Sequence, residues 1–297
     1  MTNSAVSGGE TLDDPRTRPI AVFDSGVGGL TVLHELLVRL PREDFVYLGD
    51  TARFPYGERS PVEIERFAAE IAEELLHRRA KLLVVACNSA TSVALGSLSA
   101  RMRQTTLGID VMGVVRPEAS RAVAVTRSGR IGLLATPTTV ASGAYERAVA
   151  AVDPHVALHA VPCPTLASII QAGEQFDEQA VATVRAVCQP LREAAVDTVI
   201  LGCTHYPLLG AMLQRTLGPD VELVTSGAAL ARQVEHALST RELGWPISDR
   251  SRGEGEGEYR FLCTGDVDAF RALGTRFLQM PLGAVEHVEL SAIEALA

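Results

Sequence analysis

The sequence predicts an α/β protein built as two pseudo-symmetric three-layer domains with mostly parallel sheets and an active site in the cleft between them. Three observations predict it. Short apolar, β-branched runs alternate with stretches of helical spacing along the chain, the grammar of parallel sheets covered by helices. Two of those runs end in one device: Lys81-Leu-Leu-Val-Val-Ala-Cys87-Asn-Ser-Ala-Thr91 and Asp197-Thr-Val-Ile-Leu-Gly-Cys203-Thr-His205-Tyr-Pro207. The units also recur in the same order, with an offset of 112 from position 24 to 136 and of 116 from Cys87 to Cys203, which suggests a duplicated half. A pseudo-twofold relating the copies would put the two cysteine-bearing strand ends across a shared cleft.

Composition bounds the function. The 297 residues are 47% hydrophobic and 21% charged, with net charge −9, so a nucleic-acid or anionic-membrane surface is not indicated. Residues 1–18 are polar and read as a disordered tail with no export signal, and no uncharged run reaches membrane-spanning length; a cytoplasmic protein is expected. The odd set Cys87, Cys163, Cys188, Cys203 and Cys263 argues against a disulfide framework. Lys81 is the only lysine and stands at the polar start of a strand, which leaves a pyridoxal-phosphate Schiff base or a P-loop lysine almost no candidate.

In chain order, Arg18–Asp24 reads as a strand, Ser25–Gly29 as a tight turn, and Leu30–Leu40, with leucines at 30, 33, 36, 37 and 40, as a helix stopped by Pro41. Gly26-x-Gly28-Gly29 lacks the third glycine of a dinucleotide loop. Asp24 at a strand end can orient an ammonium or assist a proton transfer, and a helix N-cap is its plain structural alternative. Phe45–Gly49 is a strand followed by a Pro/Gly-punctuated loop through Tyr56 and Gly57. Ser60-Pro61 with Glu63 opens a helix to about Arg79. A helix near Val93–Arg103 follows the Cys87 strand, and Ile109–Val115 is a strand leading into Arg116-Pro117-Glu118, a crossing between halves.

The second half repeats this. Gly129–Thr136 is strand-like, Pro137-Thr138-Thr139 a turn and Ala141–Val152 a helix. Val161–Leu166 reads as a kinked strand, Glu178–Ala195 as a helix, Val221–Thr225 as a strand and Ala228–Leu238 as a helix. Ser248–Glu258, with its Gly-Glu repeat, reads as a mobile surface loop. Tyr259–Gly265 and Val285–Leu290 return to the first domain. Cys163 and Cys188, in apolar or helical settings, read as inert buried thiols.

Two thiols facing one carbon can remove a proton from one side and return it from the other, which inverts a stereocentre. Asp24 and His205 would assist the two sides, and donors around Asn88, Ser89 and Thr204 would hold a carboxylate. The motifs Phe-Asp24-Ser25-Gly-Val-Gly-Gly, Leu-Gly-Asp-Thr-Ala-Arg-Phe-Pro-Tyr56-Gly57, Ala-Cys87-Asn88-Ser89-Ala, Leu-Gly-Cys203-Thr204-His205-Tyr-Pro-Leu-Leu and Thr-Gly-Asp266 run in order from about 20 to 290. With them the chain resembles the cofactor-independent glutamate racemases of the aspartate/glutamate racemase family.

The resemblance implies a discontinuous first domain, 19–114 plus 225–297, and a second domain, 115–224. It implies that Cys87 and Cys203 take the proton from D- and L-glutamate respectively, Asp24 partnering Cys87 and His205 partnering Cys203. Ser25, Tyr56, Gly57, Asn88, Ser89, Thr139 and Thr204, together with Asp24 and His205, fall on the family's glutamate contacts. No cofactor and no metal are expected, the substrate is glutamate, and a homodimer is expected. Three positions depart from the pattern: Ser89 for threonine, Thr138 for glycine, which would reshape the turn before Thr139, and Gln171 for a glutamate that would orient His205. Competing readings are an aspartate racemase-like enzyme, a zinc hydrolase using Cys87, Cys203 and His205, and a racemase-fold protein that binds without turnover.

Overall fold

The computed structural model describes residues 14–104, 108–173, 177–246 and 256–292. Most of the expected tail and of the Gly-Glu loop lies outside the described residues.

The elements are β1 (Ile20–Asp24), α1 (Leu30–Arg39), β2 (Phe45–Gly49), α2 (Pro61–His77), β3 (Leu82–Val85), α3 (Asn88–Gln104), β4 (Asp110–Gly113) and α4 (Val115–Val125). There follow β5 (Arg130–Ala135), α5 (Pro137–Ala141), α6 (Ala144–Val152), β6 (Ala157–Pro162), α7 (Leu166–Ala172), α8 (Glu178–Glu193), β7 (Thr198–Gly202), α9 (Gly210–Leu217) and β8 (Glu222–Val224). The chain closes with α10 (Gly227–Thr240), β9 (Tyr259–Cys263), α11 (Val267–Leu278) and β10 (Val285–His287).

Among the described residues all strand pairs are parallel. They form a six-stranded sheet, β10-β9-β2-β1-β3-β4, and a four-stranded one, β6-β5-β7-β8. Replacing β1, β2, β3 and β4 by β5, β6, β7 and β8 converts β2-β1-β3-β4 into the second sheet. The duplication expected from the offsets is therefore present as topology, and it puts Cys87 and Cys203 after equivalent strands, at the carboxyl ends where open α/β sheets hold ligands.

Burial follows the two-residue period of a strand covered on both faces. Ile20 and Val22 pack with α1, α10 and α11, whereas Ala21 and Phe23 pack with α2 and α3. In the second sheet Val199 and Leu201 face α8 and α9, while Ile131, Leu133 and Ile200 face α4 and α6. The α1/α10 cluster is continuous with that of α7, α8 and α9, so a single apolar layer joins the two units. The start of α2 carries the expected capping box, with Ser60 and Glu63 satisfying each other's backbone N–H.

Several expectations are corrected. The strand after Ile109 stops at Gly113, and Arg116-Pro117-Glu118 is the first turn of α4 and not a linker. Pro117 suits a first turn, where no intrahelical N–H bond is lost. Pro137-Thr138-Thr139 is the start of α5, and left-handed Gly143 (φ 64°) separates α5 from α6 where one helix was expected. The kinked strand ends at Pro162, and Leu166 opens α7. Helix α3 begins at Asn88, directly behind Cys87, and not near Val93. Asp24 caps no helix; Gly29 takes the N-cap position of α1.

Candidate active site

Both thiols line one buried cavity. Its walls are Ser25 from the β1–α1 turn, Phe54 to Gly57 from the β2–α2 loop, Cys87, Asn88 and Ser89 at the start of α3, Thr136 after β5, Ala167 on α7, and Cys203, Thr204 and His205 after β7. Its volume is about 20 Å³, room for one water but not for an amino acid. Wider grooves of 860 and 840 Å³ on the surface contain neither thiol.

Cys87 caps α3. The Ala90 N–H donates to its sulfur at 3.4 Å and its S–H points to Ser25 Oγ at 3.7 Å, so a thiolate formed here would be met by backbone N–H at a helix N-terminus. Burial, and then the charge of Asp24, push the free thiol up to about 12. Cys203 is likewise held well above the ordinary thiol range by burial, against which the His205 backbone N–H works. The second copy of the device differs from the first in one respect: a short 3-10 turn, Tyr206–Leu209, separates its cysteine from α9.

Asp24 is fully buried, and that desolvation raises its carboxyl to about 6 against donors from Gly29, Gly26, Thr204 and Ser25. The Gly26 N–H reaches Oδ2 at 3.0 Å and Thr204 Oγ1 reaches Oδ1 at 3.3 Å. Asp24 thus ties the first sheet's turn to the Cys203 segment. It acts on both thiols through its charge, and the hydrogen bonds it makes go to these donors and not to a thiol.

His205 Nδ1 lies 3.9 Å from Cys203 Sγ, and Nε2 lies 2.8 Å from Gln171 Oε1. An amide oxygen only accepts, so the Nε2–H tautomer is selected and Nδ1 is free to take a proton from sulfur. Phe54 packs tilted against the ring at 5.4 Å and Phe277 meets it edge-on at 5.2 Å, and this burial drives the imidazole down to about 3. Gly28 is required here: a Cβ would stand 2.5 Å from His205 Nδ1 and closer still to Thr204 Oγ1.

The hydroxyls gather on the opposite wall. Ser89 Oγ, Thr136 Oγ1 and Thr139 Oγ1 form a triangle with sides of 2.9, 3.0 and 3.2 Å, three rotatable donors suited to a carboxylate. Thr138 does not disturb this turn; its one hydroxyl proton is shared between the carbonyls of Gly57 and Arg59, 2.9 and 3.0 Å away, and pins the Tyr56 loop to α5. Gly57 packs so closely that a Cβ would lie 2.5 Å from Thr136 Cβ. Tyr56 donates to buried Asp50, which also accepts from Arg53 Nε at 2.6 Å and Thr264 Oγ1 at 2.7 Å.

Of the residues the sequence assigned to the site, Ser25, Tyr56, Gly57, Cys87, Asn88, Ser89, Cys203, Thr204 and His205 line the cavity; Asp24 lies behind it, reached through Thr204, and Thr139 touches its wall through Thr136 and Ser89. Sequence reasoning missed Thr136, although it was the counterpart of Asp24 in the repeat. It missed Asp50, which sits inside the quoted Leu-Gly-Asp-Thr-Ala-Arg stretch, and Glu118, read as linker. Phe54 stands in that same quoted stretch and was given no role, and nothing in the sequence marked Phe277 as a neighbour of His205. Among the described residues no group of three or more His, Cys, Asp and Glu side chains could hold a metal ion.

Fold and site together define a protein of the two-thiol racemase class: duplicated parallel α/β units that each deliver one cysteine to a closed, hydroxyl-lined cavity. A family model described as Asp/Glu/Hydantoin racemase matches residues 31–234, and the chain belongs to that family. It is 45% identical to the glutamate racemase of Geobacter metallireducens over 275 residues, 93% of this chain and 98% of the relative. Among solved structures, a glutamate racemase isoform from Bacillus anthracis superposes with a TM-score of 0.84 at 36% identity, covering 93% of this chain and 98% of that one. The glutamate racemase of Francisella tularensis, solved with D-glutamate, gives 0.84 at 30% identity over 94% of this chain and 100% of that one.

Proposed function

We propose that this protein is a glutamate racemase that interconverts L- and D-glutamate with Cys87 and Cys203 as its two bases, supplying D-glutamate for the cell wall. The observation that carries the reading is the delivery of both thiols to one buried cavity by topologically equivalent strands of two sheets. The relatives' names support glutamate over aspartate as substrate.

In a turnover starting from D-glutamate, the Cys87 thiolate takes the α-proton. The C–H bond breaks, an S–H bond forms, and the electron pair moves onto the α-carbon and its carboxylate. The Cys203 S–H then delivers its proton to the other face, leaving Cys203 as the thiolate. From L-glutamate the roles reverse. Dry surroundings make the thiolates strong bases but scarce, and the substrate's ammonium, entering beside Asp24, favours the charged form. Neutral His205 accepts the Cys203 S–H at Nδ1 as a hydrogen bond, and Ser89, Thr136 and Thr139 meet a carboxylate. Thr204, Ser25, Asn88 and the Tyr56–Gly57 loop complete the contacts. Because the cavity holds only about 20 Å³, the substrate enters by displacement of its walls, and closure expels water.

We assign residues 19–114 and 225–297 to one domain and 115–224 to the other, following the two sheets. We also propose that the protein acts as a homodimer in the cytoplasm; among the described residues no helix is long and apolar enough to cross a membrane. The test of activity is circular dichroism of L- and of D-glutamate with chelator and no added cofactor, alongside L-aspartate. Decay of both glutamate signals to zero supports the reading. Decay of aspartate alone would move the specificity, and no change in a folded preparation would favour a binding protein.

A further inference from the structure

Behind Asn88 lies a fully buried carboxyl that the mechanism does not use. Glu118, in the first turn of α4, accepts from Ser226 Oγ at the start of α10, from Tyr145 Oη on α6, and from Asn88 Nδ2 at 3.2 Å. Four helices from both sheet units meet at this one side chain. No cation neutralises it among these contacts, and burial pushes it up to about 8 against its three donors. A carboxyl in such a place is costly to ionise, and its hydrogen bonds offset that cost only in part.

What depends on it is the orientation of Asn88. Tyr145 and Asn88 meet Glu118 Oε2 whereas Ser226 meets Oε1, so a proton on the carboxyl belongs on Oε1, directed to Ser226; Tyr145 then gives its one proton to Oε2, and at its 2.7 Å contact with Asn88 it can only accept. Both partners therefore demand the NH2 group of Asn88, and its Oδ1, buried and without a hydrogen-bond partner, is the edge left for the cavity that Asn88 lines. Glutamate's carboxylates only accept hydrogen bonds. Its sole donor is the α-ammonium.

We infer that Glu118 is a positioning residue that locks the Asn88 amide with its carbonyl oxygen toward the substrate, where it receives the α-ammonium of glutamate. This rests on the glutamate reading above. It gives the site a means of fixing which end of a nearly symmetric dicarboxylate lies between the thiols, because glutarate, the same diacid without the amine, gains nothing from that oxygen.

The test compares KM for L- and D-glutamate with the competitive inhibition constant of glutarate in Glu118→Met, which removes both acceptors, and Glu118→Gln, which keeps one for Asn88. The expected result is a rise in KM of about tenfold for both enantiomers in E118M, the loss of roughly one hydrogen bond to a charged group. Glutarate inhibition should stay within about twofold, and E118Q should retain most of the wild-type KM. Equal weakening of glutamate and glutarate would overturn the inference, since Asn88 would then be serving a carboxylate, and so would no change in either. Should E118M fail to fold, Tyr145→Phe, which removes one of the two partners of the NH2 group, must show the same amine-selective shift in smaller measure; a shift shared by glutarate, or none, overturns the inference. Wild-type turnover run in parallel separates the failures: loss of amine selectivity with intact wild-type racemisation sinks this inference alone, and a wild-type protein inert to glutamate sinks both readings.

Discussion

Gln171 Oε1 stands 2.8 Å from His205 Nε2, and this neutral acceptor in place of a carboxylate fixes the imidazole's tautomer without stabilising its cationic form. L- and D-glutamate have equal free energy in water, so kcat/KM must be the same in both directions whatever the residue at 171. Any asymmetry is confined to kcat and KM separately.

Gln171→Glu places an anion on Nε2, which favours the imidazolium and raises His205 from about 3. The expected outcome is a several-fold change in the ratio of the two kcat values, with kcat/KM still matched. Progress curves from each enantiomer measure it; a kcat ratio unchanged from wild type would mean that His205 does not handle the Cys203 proton.

Asp50→Asn weakens the anchor of Tyr56, because an amide offers one acceptor where the carboxylate serves Tyr56, Arg53 and Thr264. Expected are a loss of about 1–3 kcal/mol in stability and a KM raised more than kcat is lowered. Denaturant melts and steady-state kinetics check the pair. A fall in kcat at constant KM would place Asp50 in the chemistry instead.

Thr138→Gly removes the shared hydroxyl donation to Gly57 and Arg59 that pins the Tyr56 loop to α5. Faster hydrogen exchange is expected in residues 54–60, with KM raised by about threefold, the loss of one shared, half-buried hydrogen bond. An unchanged exchange rate would mean that the loop is held by Asp50 alone.

The pH dependence of stability has a worked sign. Glu118 is raised from 4.5 to about 8, so its contribution is full below pH 4.5 and is lost as pH climbs through 8. Asp24 behaves likewise between 3.8 and about 6. His205, depressed from 6.5 to about 3, works the other way, its neutral form costing stability as pH falls below 6.5. Between pH 6.5 and 8 Glu118 dominates, and wild-type stability should fall across that window. Glu118→Gln should flatten the slope in urea midpoints; an equally steep slope in the variant would assign the titration elsewhere.

The sequence made the sheet-forming runs, the capped start of α2 and the two cysteine devices legible, because strand periodicity, capping chemistry and a thiol at a strand end are local signals. The repeat offset anticipated the duplication of the two halves, while the shared strand order emerged only from the sheets. What it hid was tertiary. Glu118 looked like linker because Pro117 normally breaks structure, and only packing shows it in a helix's first turn beneath Asn88. Thr138 looked like a disturbance of its own turn, whereas its hydroxyl reaches 81 residues back to Gly57. Asp24 looked like an N-cap because nothing local reveals Thr204, 180 residues away.

The two-thiol account is tested most directly by running the wild-type reaction in D2O from each enantiomer and following deuterium at the α-carbon at low conversion. The account predicts deuterium in the newly formed enantiomer from the first turnovers, because the delivering thiol has exchanged with solvent, while the recovered starting enantiomer keeps its protium. Cys87→Ser and Cys203→Ser should each slow inversion by about 10²-fold or more. Deuterium appearing equally in recovered substrate and product from the start would point to one base serving both faces and would contradict the account.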